Sequence, residues 1–165
     1  MIQPEQEVYV AETEKERVDR ELIELLNEVR IVLPGVQVLF GFLLVVPFQQ
    51  SFREVNDFER QLFILAFLTA MAASVLLIAP SSYHRIRFRS GDKAQLLETS
   101  NKFVLAGMAL LAVSLTTAAY LVTDYIYGGL AGAVVAVVAA AVLAWFWFGL
   151  PLSREMRGKR SGPIE

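Results

Sequence analysis

Residues 103–150 decide the fold, and they read FVLAGMALLAVSLTTAAYLVTDYIYGGLAGAVVAVVAAAVLAWFWFGL. Asp124 is the only Asp, Glu, Lys, Arg or His in this stretch, and it separates two apolar runs, 103–122 and 129–150. A helix of about 20 residues reaches about 30 Å, the thickness of the hydrocarbon core of a bilayer. Because the segment 123–128 between the runs is short, we expect an antiparallel pair of helices that crosses a membrane.

Two further apolar runs, 31–48 and 62–80, lie earlier in the chain and contain no charged residue or histidine. Backbone groups left unpaired in lipid are costly, so spanning segments are helices or closed barrels, and the lack of alternation favours helices. A soluble bundle is disfavoured, because 165 residues cannot surround four wholly apolar helices with polar surface. The sequence predicts an all-α, polytopic membrane protein with four transmembrane helices and the lipid bilayer as its first partner.

The composition excludes several other classes of function. The chain is 55% hydrophobic and 19% charged, with a net charge of −2. Such a chain has no basic field to attract nucleic acid, so no nucleic-acid partner is expected. It contains no cysteine, which excludes disulfides, thiolate metal sites and thiol nucleophiles.

The distribution of basic residues predicts the orientation. Thirteen of the fifteen Lys and Arg residues lie before the first run, between the second and third, or after the fourth, whereas Arg53 and Arg60 lie between the first two runs. Cytoplasmic loops carry the excess of Lys and Arg. Both termini are therefore expected in the cytoplasm, and the segments 49–61 and 123–128 on the outer side.

The chain divides into a lead, a helix, a membrane domain and a tail. Residues 1–11 are predicted to be a disordered acidic lead, 12–33 a cytoplasmic amphipathic helix, 31–150 the transmembrane domain and 151–165 a basic cytoplasmic tail. Within the membrane domain, Pro34 and Gly35 predict a kink where the chain enters the bilayer.

The amphipathic helix carries an apolar stripe with spacings of four, three and four residues, formed by Val18, Leu22, Leu25 and Val29. The stripe suits the inner leaflet, the loops of its own bundle, or a coiled coil between protomers. The many acidic residues around it argue against an anionic membrane surface, so we favour contact with protein.

The loops also carry signals. A short interfacial helix is expected around Phe48, Phe52 and Val55, and the capping-box spacing of Asn56 and Glu59 predicts a helix start near Asp57. The segment 81–89 after the second run is expected to be a loop. Residues 94–102 are expected to be helical and continuous with the third span.

Small residues recur every fourth position along the fourth span, at Gly132, Ala136, Ala140 and Ala144. A second row, Ala66, Ala70 and Ser74, lies in the second span. Small residues let helix backbones approach closely in lipid. The rows predict packing inside the bundle or contact between protomers of a homo-oligomer.

Gln37 is the only amide side chain deep in a span. Leaving it unpaired in lipid costs about 2 kcal/mol or more, so it needs a neighbouring helix, another copy of itself, or water in a pore. Ser114, Thr116 and Thr117 are weaker signs of a polar path, because their hydroxyls are expected to bond carbonyls of the preceding turn.

A basic cluster follows the second run and consists of His84, Arg85, Arg87 and Arg89. It suits anionic lipid headgroups or a phosphorylated ligand, although positive-inside charge bias alone also explains it. His84 is the sole histidine, so we expect no metal site within one protomer, and no cofactor or catalytic residue is expected either.

Several segments resemble a bacterial family of small four-span membrane proteins of unknown function. They are ELLNEVRIVLPGVQVLFGF at 24–42, VPFQQSF at 46–52, APSSYHR at 79–85 and AGMALL at 106–111. The resemblance covers about residues 18–150 and implies the bacterial inner membrane as location. That family has no assigned activity, so no catalytic residue follows from the resemblance.

We therefore expect a non-enzymatic membrane module that acts through oligomerisation or interaction with a partner. The N-terminal helix and the small-residue face are the expected contacts of a homo-oligomer. The alternative is a homo-oligomeric passive ion channel or small-solute transporter with Gln37 near the path.

Overall fold

The computed structural model describes residues 14–87, 93–150 and 153, and this part of the chain is almost entirely helical. The helices are α1 (Glu14–Val45), α2 (Asp57–Arg87), α3 (Lys93–Tyr127) and α4 (Gly129–Ala144). Two short 3-10 turns, Val46–Phe48 and Gln50–Arg53, connect α1 to α2, and a turn of π-helix, Trp145–Gly149, extends α4. The expected acidic lead, and the expected basic tail apart from Ser153, lie outside the described residues.

Four helical segments are long and apolar enough to cross a membrane: Glu16–Phe48, Asp57–Tyr83, Gln95–Tyr127 and Gly129–Gly149. The prediction of an all-helical chain with four such segments is therefore confirmed. Each segment includes one of the four apolar runs, except that the fourth segment ends at Gly149, one residue before the end of its run.

Helix α3 lies at the centre of the arrangement and packs against the other three helices. Its contact with α2 is the most extensive, and α1 packs against both of them. Among the described helices, α4 packs along α3 alone. The core combines buried leucine, valine and phenylalanine side chains with three fully buried alanines of α2, Ala66, Ala70 and Ala73.

The capping box predicted at the start of α2 is confirmed. The backbone N–H of Glu59 donates to Asn56 Oδ1 at 2.9 Å, and the backbone N–H of Asn56 donates to Glu59 Oε2 at 2.8 Å. These two bonds satisfy N–H groups that the first turn of a helix leaves free. Helix α2 accordingly begins at Asp57.

Pro34, where a kink is expected, and Pro80, at the end of the second apolar run, both lie inside helices. Pro34 is within α1, which runs unbroken from the expected cytoplasmic segment into the first apolar run. Pro80 is within α2, so residues 81–87 are helical and the expected loop begins no earlier than residue 88. An interior proline removes one backbone hydrogen bond and clashes with the preceding turn, which can bend a helix without ending it.

Two connections differ from expectation. The segment 46–53 forms two 3-10 turns rather than a regular interfacial helix, because Gln49 between them has an extended backbone with φ −76° and ψ 144°. The expected turn at 123–128 is reduced to Gly128. Thr123 Oγ1 donates to the carbonyl of Ala119 at 2.8 Å, so helix α3 accommodates this polar residue, and Gly128 alone supplies the positive φ of 89° that reverses the chain.

Candidate functional site

The interface between α2 and α3 is closely packed. A Cβ atom on Gly107 of α3 would lie 2.9 Å from Cγ of Leu77, so only glycine fits without a shift of that side chain. Both Leu77 and Leu111 belong to the buried cluster at this level. The described helices of one chain therefore meet here through direct side-chain packing.

Ser114 provides a polar contact between helices. Its Oγ is fully buried and donates to the carbonyl of Ala66 in α2 at 2.8 Å. The expected bond to the preceding turn of its own helix is therefore wrong for Ser114, since the close approach of Ala66 offers a carbonyl across the interface. Thr117 does bond its own helix, with Oγ1 donating to the carbonyl of Val113 at 2.8 Å. The Ser114 hydroxyl thus connects two helices of one chain, and the Thr117 hydroxyl bonds within its own helix.

Gln37 lies on the outward face of α1. Its neighbour Val36 is 1% exposed and points into the bundle, whereas Gln37 is exposed. The amide forms no hydrogen bond with the residues that the structure describes. Of the partners considered for Gln37, a neighbouring described helix of the same chain is therefore not used, and another copy of the chain and water in a pore stay predictions.

The small residues of α4 divide into an inner and an outer part. Gly132 is buried, and a Cβ there would lie 3.1 Å from both the carbonyl oxygen of Tyr120 and Cβ of Asp124. Ala136 is half-buried, and Ala140 and Ala144 are exposed. The row thus packs inside the chain at its first residue and faces outward at its end.

The apolar stripe near the start of α1 is covered by the chain itself. Val18, Leu22, Leu25 and Val29 are all buried. Leu25 and Val29 belong to one cluster with Val36, Ala73, Leu77 and Leu111, against which Leu97 and Trp147 also pack. The stripe therefore offers little free surface for a second copy. The π-helical turn that holds Trp147 gave no signal in the sequence beyond its aromatic composition.

Most side chains of the basic cluster after the second apolar run are not described. His84, Arg85 and Arg87 are on the last turn of α2, and Arg85 is exposed, but the side chains of His84 and Arg87 are not described. Arg89 lies in the undescribed segment 88–92. The structure therefore does not test whether this cluster binds lipid headgroups.

An apolar cleft of about 290 Å³ lies at the opposite end of the bundle. Its walls include Leu43 of α1, Phe63 of α2 and Leu121 of α3, and Phe52 from the connecting turn packs edge-on against Phe63 at 4.9 Å between ring centroids. Sequence reasoning missed this cleft, because it depends on α4 packing along α3 and leaving the ends of α1 and α3 uncovered. Within the described residues, no group of three or more His, Asp or Glu side chains could hold a metal ion.

The comparisons with known proteins identify a family. A family model described as "Family of unknown function (DUF6328)" matches residues 11–151, which include all four helices. The chain belongs to the DUF6328 family. Membership in a family of unknown function agrees with the resemblance found in the sequence and assigns no activity to any residue. No match was found among curated proteins or among solved structures.

Proposed function

We propose that this DUF6328 protein is a multi-pass protein of the bacterial cytoplasmic membrane that acts without catalysis, through association with copies of itself or with another membrane protein. The single observation that carries the proposal is the large outward surface of the four helices. In the most apolar window of each helix, at most 28% of the residues are buried inside the chain. Lipid and neighbouring protein are the two environments that suit such a surface.

Helices α1 and α4 are the elements available for association. Among the described helices, α4 (Gly129–Ala144) packs along α3 alone, and the outer part of its small-residue row, Ala140 and Ala144, is exposed. Helix α1 presents an amide, Gln37, on its outward face. Small residues and polar side chains are the features that promote helix association in lipid.

The orientation that accompanies this proposal has both termini in the cytoplasm. Arg53 and Arg60 are the only basic residues between the first two apolar runs, and the remaining Lys and Arg residues lie on the other side of the spans. The positive-inside bias supports this orientation over the reverse.

A second candidate function is a passive channel or small-solute transporter. Its support is the outward position of Gln37, which would line a path between protomers of an oligomer. Helices α2 and α3 are closely packed, for example where Gly107 meets Leu77. This packing argues against a solute path between these two helices of a single chain.

The mass of the protein in lipid nanodiscs tests the leading proposal. One chain weighs 18.4 kDa, and we expect native mass spectrometry to find a defined multiple of that mass, or a complex with a partner captured by crosslinking in native membranes. Single chains with no crosslinked partner would contradict the proposal.

Ion and solute flux in proteoliposomes tests the second candidate. A channel predicts flux for the parent protein that changes in the variant Gln37→Leu. Verified oligomers without flux would exclude the channel and leave the interaction module.

A further inference from the structure

The outward face of α1 carries an amide that forms no hydrogen bond with any residue in the described ranges. Gln37 lies within the first apolar run, is exposed, and forms no hydrogen bond within the described part of the chain. An amide side chain has two N–H donors and a carbonyl acceptor. In a spanning helix it therefore needs a partner that offers both a donor and an acceptor at the same depth in the bilayer.

A glycine lies next to this amide on the same face. Gly41 follows Gln37 by four residues, the spacing of neighbours on one side of a helix. It is exposed, and a Cβ placed on it would have no atom within 4 Å. Packing inside the chain therefore gives no reason for glycine here, although glycine is unfavourable within helices. A missing side chain beside an amide allows the backbone of another helix to approach closely.

No other described helix covers this face. Helix α1 packs against α2 and α3 through Val29, Val36 and Leu43, which recur every seven residues and are all buried. Helix α4 packs along α3 and not along α1. A helix from outside the chain can thus lie along Gln37 and Gly41 without displacing any of the described helices.

We infer that the α1 face formed by Gln37 and Gly41 binds the same face of a second copy of this chain in a two-fold symmetric pair. This inference rests on the proposed function, because it names the face through which self-association takes place. Each Gln37 amide donates to the carbonyl of its symmetry mate, and each Gly41 leaves room for the other helix.

The second copy fits this face better than an unrelated protein for two reasons. An amide is self-complementary under a two-fold rotation, which is the symmetry of most homodimers. Two copies that are inserted in the same orientation also place their Gln37 residues at equal depth. Donor and acceptor therefore meet without any further specificity in the partner.

Single cysteines can map the interface directly, because the chain has no cysteine of its own. The test variant is Gly41→Cys, and the matched control is Gly35→Cys, since Gly35 is also an exposed glycine of α1 with no atom within 4 Å of a Cβ. Gly35 precedes Gln37 by two residues, about 200° around the helix, and so lies on a different face. A disulfide needs Cα atoms within about 7 Å of each other.

Oxidation in native membranes should give a disulfide-linked dimer for Gly41→Cys and none for Gly35→Cys. Adding Gln37→Leu to Gly41→Cys should weaken the self-association about tenfold to a thousandfold, because the symmetric pair loses two interhelical hydrogen bonds in lipid. Leucine at an exposed position of a span leaves the bundle intact, so the double variant remains a folded reporter.

The other outcomes overturn the inference, and they separate it from the proposed function. Crosslinking through Gly35→Cys, or crosslinking of Gly41→Cys that is indifferent to Gln37→Leu, would show association through another face. Oligomers in nanodiscs without any crosslink at Gly41→Cys would also show association through another face. Single chains in nanodiscs and no crosslink at either position would overturn both.

Discussion

At the residue scale, α3 holds two fully buried serines with different surroundings. Ser114 Oγ donates to the carbonyl of Ala66 at 2.8 Å, whereas Ser100 Oγ has no hydrogen-bond partner in the described part of the chain. Both side chains have 0% exposure. A buried hydroxyl contributes to stability when it is bonded and opposes folding when it is not.

We predict opposite results for the two alanine variants. Ser114→Ala should lower the free energy of unfolding by about 1 kcal/mol, because it removes a bond between α3 and α2. Ser100→Ala should leave that free energy unchanged or raise it slightly, because it removes an unsatisfied hydroxyl. Unfolding titrations in mixed micelles measure both, and an equal loss in the two variants would contradict this account of the interface.

Gln37 illustrates what the sequence can and cannot indicate about a single residue. It was identifiable as the only amide deep in a span. The direction in which Gln37 points could not be predicted from the sequence. Residues on every side of that span are apolar, so the sequence gives no contrast between inner and outer faces. The same limit hid the bond from Ser114 to Ala66, which depends on which helix is the neighbour.

At the element scale, helix starts were more predictable than helix ends. Asn56 and Glu59 form a local hydrogen-bonded box that requires no tertiary contact, so the sequence was sufficient to locate the start of α2. The end of α2 was placed too early at Pro80, which is buried within the continuing helix. Whether a proline ends a helix depends on the packing around it, which is a tertiary property.

The connection between α3 and α4 gives a prediction for the small-residue row. Gly132→Ala should lower the free energy of unfolding by about 1–3 kcal/mol. The reason is that its Cβ would lie 3.1 Å from the carbonyl oxygen of Tyr120 and 3.2 Å from the backbone nitrogen of Asp124, which cannot move without displacing α3.

Ala140→Leu is the control within the same row. Ala140 is exposed, so the larger side chain should leave the free energy of unfolding nearly unchanged. If Ala140→Leu destabilised the single chain as much as Gly132→Ala, the whole row would pack inside the bundle and the arrangement of α4 described above would be wrong.

At the scale of the whole molecule, composition was enough to identify four apolar helices but not their neighbours. The apolar runs mark the segments in the sequence, and four helices with the required length and hydropathy are present. The central place of α3 and the edge position of α4 follow from side-chain fit at positions such as Gly107 and Gly132. Hydropathy does not predict which helices fit together, because lipid and the protein interior are similarly apolar.

We propose that these four helices cross a membrane with both termini in the cytoplasm, and labelling of single cysteines in intact cells checks both parts of this topology. The variants Ser51→Cys, Asn27→Cys and Val137→Cys all lie at positions that are exposed in the single chain, and Val137 is 69% exposed. A membrane-impermeant maleimide should label Ser51→Cys in intact cells and Asn27→Cys only after permeabilisation. Val137→Cys should stay unlabelled in both states, because lipid or another protein in the membrane covers it. Labelling of Asn27→Cys in intact cells would contradict the orientation, and labelling of Val137→Cys without detergent would contradict the membrane insertion itself.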